Sequence, residues 1–397
     1  MGLMKSAGHL IYGSTVARFR YKNNGFWVFG EWFGKRCCDS CLFLANYIAE
    51  THPEIPCAWV AKEGTDLSLL NPRIRKAVWG SEEAQGLVRN AAYIFVNDYL
   101  EDVAPDCGVD ICGPVVVDLW HGVPWKTIGY EASRKNDSWI RAWFFFVLLK
   151  KSTSYWLSLN RDLTEIFKTG FWAGEGSIIE AGYPRNMEFY DPEKVVQRRK
   201  EFLDHLRALG HEVDQDTRII TYMPTFRDRK DQTFSFDSMA EDPELRRILG
   251  KYNAIIIQKA HFAEKNKKTE SGSGIITENE YPAALLLAAS DILITDYSSC
   301  FFDYLLLDRP IIHYLYDYEY YRNQDRGLYY SKEEAACGDT PEDIPGLLAS
   351  MEANLEHPEK DAALRKKRRE YFLEYESADS CEKIYQAVIA GRKGKHS

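Results

Sequence analysis

One run of residues encodes a strand, a turn, a helix and a second strand in quick succession: Ser290-Asp-Ile-Leu-Ile-Thr-Asp-Tyr-Ser-Ser-Cys-Phe-Phe-Asp-Tyr-Leu-Leu-Leu-Asp-Arg-Pro-Ile-Ile-His-Tyr-Leu315. Ile292 to Thr295 are mainly apolar and β-branched, which predicts a buried strand, and polar residues follow it. An apolar block from Cys300 to Leu307 is long enough for two helical turns, and Arg309-Pro310 ends it. The pattern predicts a βαβ unit of a parallel sheet, whose ligands bind at the carboxyl ends of the strands.

Two hydroxyl groups stand where the predicted helix begins, those of Ser298 and Ser299. The unpaired backbone N–H groups at a helix start and the positive end of its dipole attract an anion, so a phosphate fits here. The alternative is that Ser298 is only an N-cap and Asp296 only closes a turn. The local pattern by itself does not separate these two interpretations.

Two other predicted strands of the C-terminal half are followed by basic residues. They are Arg218 to Met223, followed by Pro224-Thr-Phe-Arg-Asp-Arg229, and Asn253 to Ile257, followed by Gln258-Lys-Ala-His261. The planar guanidinium of Arg227 suits a pyrophosphate because it can donate two parallel hydrogen bonds. Loops after parallel strands meet at one edge of a sheet, so we expect Arg227, His261 and the two serines to converge.

The N-terminal half shows strands that alternate with loops and helical stretches, which predicts a Rossmann-like sheet without a dinucleotide fingerprint. The predicted strands are Phe26 to Phe29, Ala58 to Ala61, Tyr93 to Val96, Pro114 to Trp120 and Tyr155 to Ser158. Trp120-His-Gly-Val-Pro-Trp-Lys126 follows the fourth of them directly. Its His121 lies on a turn where Gly122 lets the backbone bend and Pro124 cannot extend the strand, which is good placement for a general base. The alternative is a structural histidine that caps a turn.

These motifs together resemble the CDP-glycerol glycerophosphotransferase family, enzymes that prime and polymerise teichoic acids and related phosphate-linked capsules. In that family D-x-L-I-T-D-Y-S-S-x-x-F-D-x-x-x-L-x-R-P-I-I is followed by a tyrosine-rich loop and R-G. Here these are Tyr314-Leu-Tyr-Asp-Tyr-Glu-Tyr-Tyr321 and Arg326-Gly327. The family motifs W-H-G-T-P-L-K, G-Y-P-R and P-T-W-R-D have counterparts at residues 120–126, 182–185 and 224–228. The resemblance covers Phe26 to Tyr330.

The resemblance implies a GT-B architecture of two Rossmann-like domains facing a cleft, with CDP-glycerol held in the second domain. It implies that His121 takes a proton from an acceptor hydroxyl, which attacks the β-phosphate and expels CMP. The residues that resemble donor-binding positions are Arg227, Asp228, Lys259, His261, Thr295, Ser298, Ser299, Asp303 and Arg326. Asp303 either contacts glycerol or makes a bond inside its helix. On the acceptor side the resemblance points to Gly122, Trp125 and Lys126.

Some positions depart from the family pattern, and other functions stay open. Val123 and Trp125 replace the usual Thr and Leu, so we expect Trp125 to reshape the acceptor pocket. The alternatives are ribitol phosphate transfer from CDP-ribitol, a sugar-nucleotide glycosyltransferase of the same architecture, and a catalytically silent nucleotide-binding subunit.

The composition excludes some function classes. A net charge of −9 and a pI near 5.6 argue against nucleic-acid binding. The nine cysteines predict reduced thiols, and Cys37-Cys38-x-x-Cys41 lacks the second Cys/His pair of a zinc site, which predicts no metal there. We expect no tightly bound cofactor, although a divalent cation such as Mg²⁺ is compatible with a diphosphate donor.

The predicted domains are an acceptor domain at 1–190, a connection at 191–216, a CDP-polyol domain at 217–378 and a C-terminal helix at 379–397 that crosses back to the first domain. No apolar run is long enough to span a bilayer. Trp139 to Lys151, rich in Trp, Phe and Leu with basic residues near its ends, predicts either a membrane-interface helix or a core helix. Arg365-Lys-Lys-Arg-Arg369 predicts either contact with anionic lipid or a solvated helix face. We expect a cytoplasmic enzyme, peripheral on the inner face of the membrane, that meets a lipid-linked acceptor.

Overall fold

The structure is a computed structural model that describes residues 21–105, 113–133, 139–225, 234–259, 274–324 and 327–395. The chain divides into two compact units, each formed by several segments. The first unit comprises Met1–His121, Ile128–Met187 and Glu374–Ser397, and the second comprises Gly122–Thr127 and Glu188–Leu373. One short piece of the N-terminal half therefore belongs to the second unit.

Each unit is built on a parallel sheet. The strands of the first unit are β1 (Trp27–Phe29), β2 (Cys57–Ala61), β3 (Arg75–Val78), β4 (Tyr93–Val96), β5 (Val115–Asp118), β6 (Tyr155–Ser158) and β7 (Ile178–Glu180), in the order β3-β2-β1-β4-β5-β6-β7. The strands of the second unit are β8 (Arg218–Met223), β9 (Ala254–Gln258), β10 (Ile275–Thr277), β11 (Ile292–Thr295) and β12 (Ile311–His313), in the order β10-β9-β8-β11-β12.

Helices follow most of the strands. In the first unit they are α1 (Ser40–Thr51), α2 (Glu82–Asn90), α3 (Gly129–Ser133), α4 (Trp139–Ser152) and α5 (Arg161–Gly170). In the second unit they are α6 (Pro192–Ala208), α7 (Pro243–Lys251), α8 (Ala283–Ala289), α9 (Cys300–Tyr304), α10 (Tyr318–Gln324), α11 (Lys332–Ala335), α12 (Ile344–Glu356) and α13 (Ala362–Phe372). The last helix, α14 (Ser380–Lys395), belongs to the first unit and packs against α1.

The central strands of both sheets are largely apolar because both faces of each sheet are covered. All residues of β2, β4, β6 and β11 are buried, as expected for a parallel sheet between two helix layers. Two helices, α6 and α7, begin at an aspartate followed by proline. The Asp191 side chain accepts from the N–H groups of Glu193 and Lys194, and Asp242 does the same for Glu244 and Leu245, which satisfies donors that a helix start leaves unpaired.

The predicted fold class is confirmed, with three strands that the sequence pattern did not indicate. These are β3, β7 and β10, which lie at sheet edges and have three or four residues. β3 reads Arg-Lys-Ala-Val and buries only Ala77, so it lacks the apolar run of a central strand. The segment 191–216, expected to connect domains, contains α6, which packs against α8 inside the second unit.

The basic run of α13 is not one solvated face. Arg365 is 2% exposed, and its guanidinium binds Oδ1 of Asp308 at 3.1 Å and the carbonyls of Asp308 and Pro358. Arg368 donates to the carbonyls of Ala336 and Glu333. Among the described residues, no helix has both the length and the apolar character needed to cross a membrane.

Candidate functional site

The second unit has a topological switch point beside its central strand. From β8 the chain moves to β9 and β10 at one edge of the sheet, and it then returns to β11 on the other side of β8. Such a reversal opens a crevice at the carboxyl ends of the two strands, where open α/β sheets bind ligands. The turn from Asp296 to Ser299 follows β11 at this crevice.

Two buried side chains tie the ends of β8 and β11 together. The Asp296 carboxylate, 1% exposed, accepts a hydrogen bond of 2.7 Å from the N–H of Thr225 in the loop after β8. Thr295 donates from Oγ1 to the carbonyl of Met223 at 2.7 Å and is fully buried. Thr295 was predicted to bind the donor, and the structure places its hydroxyl between the strands, where it holds the crevice in shape.

The two serines of the turn lie at the start of α9 and are partly exposed. Ser299 occupies the N-cap position, and its side chain makes no capping hydrogen bond. The cap position therefore falls on Ser299, one residue after the position named in the sequence alternative, and the Ser298 side chain hydrogen-bonds with Cys300 at the start of α9. Binding of a phosphate by Ser298 and Ser299 stays a prediction.

Gly122 to Thr127, which we call the clip, packs beside this turn within the second unit. Lys126 forms an antiparallel bridge with Leu328. Thr127 donates from its N–H to the carbonyl of Gly327 at 2.9 Å, and Tyr329 donates from its N–H to the carbonyl of Trp125 at 2.9 Å. The clip thus pairs through an isolated bridge with residues 327–329, which follow α10 in the chain.

Trp125 anchors the clip and is completely buried. Its Nε1 donates to the carbonyl of Tyr330 at 2.8 Å, and its ring centroid lies 5.6 Å from each of the rings of Tyr297, Phe301 and His313. Trp125 was predicted to shape the acceptor pocket. A fully buried indole has no surface to offer a ligand, so its contribution is to support the turn that carries Ser298 and Ser299.

His121, the residue before the clip, lies after β5 in the first unit. Its Nδ1 is 3.1 Å from the carbonyl oxygen of Asn97, and because a carbonyl can only accept, Nδ1 carries a proton in this contact. The Trp120 ring lies 4.3 Å from the imidazole and the Trp32 ring lies 5.8 Å away. The hydrogen bond to Asn97 and the two indole rings together fix the position of the imidazole.

The turn that carries His121 is strained and is supported by a buried acid. Trp120 has φ of 56°, a conformation that costs a residue with a large side chain about 1–3 kcal/mol. The N–H of Trp120 donates to Asp118 at 2.8 Å. Asp118 is 1% exposed, and burial raises its pKa well above the ordinary value.

Two more buried acids hold the loops around His121. Asp102 accepts from the N–H groups of Phe33 at 2.7 Å and Asn97 at 2.9 Å, and burial raises its pKa to about 7. Glu31 accepts from the N–H groups of Cys38 and Asp39, and burial raises its pKa well above the usual range. The sequence pattern does not mark these acids, although both lie after strands, Glu31 after β1 and Asp102 in the loop after β4.

The remaining predicted site residues fall into two groups. Lys259 donates from Nζ to the carbonyl of Asn279 at 2.9 Å and to the carbonyl of Tyr281, so it holds a neighbouring turn. Asp303 is 4% exposed inside α9. The others, Arg227, Asp228, His261 and Arg326, lie outside the described residues.

The tyrosine-rich loop after β12 lines a cavity of about 570 Å³. Its walls include Tyr316, Asp317, Tyr318, Glu319, Tyr320 and Glu342. Tyr297 of the turn joins this region, since its hydroxyl donates to Asp317 at 3.1 Å. An aromatic and acidic lining suits hydroxyl or amino groups better than phosphate. Within the described ranges, no group of three or more His, Cys, Asp and Glu residues is arranged to hold a metal ion.

Comparison with known proteins decides the family. Residues 13–390 match the family described as CDP-Glycerol:Poly(glycerophosphate) glycerophosphotransferase. The chain belongs to this family. The predicted resemblance and the predicted enzyme class are therefore confirmed.

Several relatives in this family act in teichoic acid synthesis by name. The chain is 24% identical over 396 residues to the teichoic acid glycerol-phosphate transferase of Staphylococcus aureus, with 98% of each chain covered. It is 28% identical over 336 residues to a teichoic acid poly(glycerol phosphate) polymerase of Staphylococcus epidermidis, of which it spans 43%. A solved structure of the wall teichoic acid polymerase TagF with CDPG matches 99% of this chain and 95% of that chain, with a TM-score of 0.81 and 22% identity. This match confirms the GT-B-like fold.

Gly122 provides a test of the clip. Its φ is 154°, and a Cβ added there would overlap the hydroxyl and Cβ of Ser299, so Gly122→Ala should lower the free energy of unfolding by about 1–3 kcal/mol. Urea unfolding of the full chain measures this. The control is Gly250→Ala in α7, where an added Cβ meets nothing within 4 Å and a helical alanine should be neutral or stabilising. Equal stability of the two variants would contradict the close approach of the clip to Ser299.

Proposed function

We propose that this protein transfers glycerol phosphate from CDP-glycerol to a hydroxyl of a lipid-linked acceptor in the synthesis of a teichoic acid or capsule-type polymer, with release of CMP. The observation that carries the proposal is the Asp296–Ser299 turn at the switch point of the second sheet. Membership of the glycerophosphotransferase family supports it. So do the names of relatives, which include glycerol-phosphate transferases, primases and polymerases.

The second unit supplies the proposed donor site. β9, β8 and β11 are adjacent and parallel, and in the sequence they precede His261, Arg227 and the two serines. A guanidinium, an imidazole and two hydroxyl groups at one sheet edge would bind the diphosphate oxygens. They would also neutralise the charge that develops on the phosphoryl group during transfer. Among the described positions, Ser298 and Ser299 are the residues that we assign to this role.

His121 is the proposed general base. Its Nε2 takes the proton of the acceptor hydroxyl, the hydroxyl oxygen forms a bond to the β-phosphorus, and the bond from that phosphorus to the CMP oxygen breaks. His121 is joined by a peptide bond to Gly122, and Gly122 lies against Ser299 in the second unit. Chain connectivity therefore ties the base to the clip. We propose no tightly bound cofactor; a divalent cation such as Mg²⁺ would accompany the diphosphate.

Two alternative reactions compete with transfer from CDP-glycerol. One relative is named a teichoic acid ribitol-phosphate primase, 27% identical over 245 residues, so CDP-ribitol is the second candidate donor. A sugar-nucleotide glycosyltransferase with the same architecture would instead attack an anomeric carbon and release a nucleoside diphosphate. The released nucleotide therefore separates phosphoryl transfer from glycosyl transfer.

The test measures CMP released from CDP-glycerol and from CDP-ribitol in the presence of a lipid-linked glycerol phosphate acceptor. We expect CMP from CDP-glycerol, and we expect His121→Ala to lower kcat by about 10²–10⁴-fold with donor binding little changed. The control is His357→Ala, because that side chain is 64% exposed and should not affect the rate. Release of CDP, or full activity of His121→Ala, would refute the proposed reaction or the proposed base.

We also propose that the protein works at the membrane surface, where its acceptor is anchored. The helix α4 buries Phe146 and Leu149 but leaves Trp143 44% exposed and Phe145 42% exposed. Exposed aromatic side chains on a helix that also carries Lys150 are typical of a membrane-interface helix. In this proposal α4 packs its buried side chains against the protein and turns its exposed aromatic side chains to the membrane surface.

Vesicles of phosphatidylglycerol and phosphatidylethanolamine test this surface. The double variant Trp143→Ser/Phe145→Ser should reduce co-sedimentation at least about tenfold, since it removes two apolar groups from the interface. Val196→Ser, a change at a 68% exposed apolar residue of α6, serves as the control. Unchanged vesicle binding by the double variant would contradict the assignment of α4.

A further inference from the structure

Arg185 is a buried cation that the proposed reaction does not use. It ends the Gly182-Tyr-Pro-Arg185 motif, after β7, and it is 6% exposed. Removing a guanidinium from water is unfavourable unless its donors are paired. The contacts of the Arg185 side chain therefore indicate why this cation is buried.

The guanidinium joins an acid to the main chain of His121. Nη1 donates to Oδ1 of Asp39 at 2.8 Å, and Nη2 donates to the carbonyl oxygen of His121 at 3.3 Å. The guanidinium carbon also lies 4.4 Å from the centre of the Tyr183 ring. Arginine can bind two acceptors with one planar group, and the compact ammonium of a lysine cannot reproduce that geometry.

Asp39 connects the same cation to a ring beside the imidazole. Its Oδ1 accepts from the N–H of Ser40 at 2.7 Å at the start of α1, and its Oδ2 accepts from Nε1 of Trp32 at 3.1 Å. The Trp32 ring lies 5.8 Å from the His121 ring. The Asp39 carboxylate thus binds both the guanidinium of Arg185 and the indole of Trp32.

We propose that Arg185, held by Asp39, is a positioning residue for His121 in the transfer reaction. This inference rests on the proposed function, in which His121 is the base. Asn97 fixes the ring of His121 through Nδ1, and Arg185 fixes the peptide from which that ring projects. Since a misplacement of about 1 Å can cost about 10²-fold in rate, the loss of one of these two supports should slow transfer without weakening donor binding.

The first experiment replaces Arg185 by lysine, which keeps the positive charge but not the planar guanidinium. Arg185→Lys should lower kcat about 10- to 100-fold, while the dissociation constant for CDP-glycerol stays within about twofold of the wild-type value. Asp39→Asn should lower kcat in the same way. The double variant should be no slower than the slower single variant, because the two residues act as one unit.

The control is a buried arginine with the same kinds of partner but no contact with His121. Arg365 binds one carboxylate and two main-chain carbonyls inside the second unit. Arg365→Lys should lower the unfolding midpoint while kcat per folded molecule is unchanged. A purely structural role for Arg185 would give Arg185→Lys this same behaviour.

These experiments distinguish a wrong positioning role for Arg185 from a wrong assignment of His121 as the base. If His121→Ala is inactive and Arg185→Lys keeps the wild-type kcat, the positioning role is wrong and the base assignment stands. If the losses from Arg185→Lys and Asp39→Asn multiply in the double variant, the two residues act independently and the proposed unit is wrong. If His121→Ala is active, the reaction itself must be revised.

Discussion

The buried hydrogen bond from the Thr225 N–H to the Asp296 carboxylate holds together the part of the second unit on which its proposed chemistry depends. It joins the loop after β8 to the turn after β11, across the point where the order of the strands reverses. The Thr295 hydroxyl adds a second link at the same level. The shape of the crevice is therefore set by side chains that face the protein interior.

In the first unit, buried acids hold the loops around His121 in a similar way. Its strand order also reverses, between β1 and β4, and buried acids bind the N–H groups of the loops that follow these strands. Asp102 holds the loop after β4 to Phe33, and Glu31 holds the start of α1. Burial of these acids is unfavourable, as their raised pKa values indicate. In return, the buried acids fix the loops beside His121.

The sequence predicts the central strands and the position of the key turns because these depend on local patterns. The strand that ends at Thr295 and the turn at His121 were both predictable from apolar runs broken by Gly, Pro and polar residues. The burial of Trp125 was not predictable, since its partner Tyr330 is about two hundred positions further along the chain. Lys259 illustrates the same limit. Its basic charge indicated a ligand, whereas its ammonium satisfies carbonyl groups of a nearby turn that no local pattern marks.

The proposed chemistry requires that the turn from Asp296 to Ser299 binds the diphosphate of the donor. A crystal structure of the full chain with His121 replaced by Ala, soaked with CDP-glycerol, tests this most directly. We expect oxygens of the diphosphate within hydrogen-bond distance of the Ser298 and Ser299 hydroxyls or of the backbone N–H groups at the start of α9. A diphosphate bound elsewhere, with these serines in contact only with water, would contradict the account.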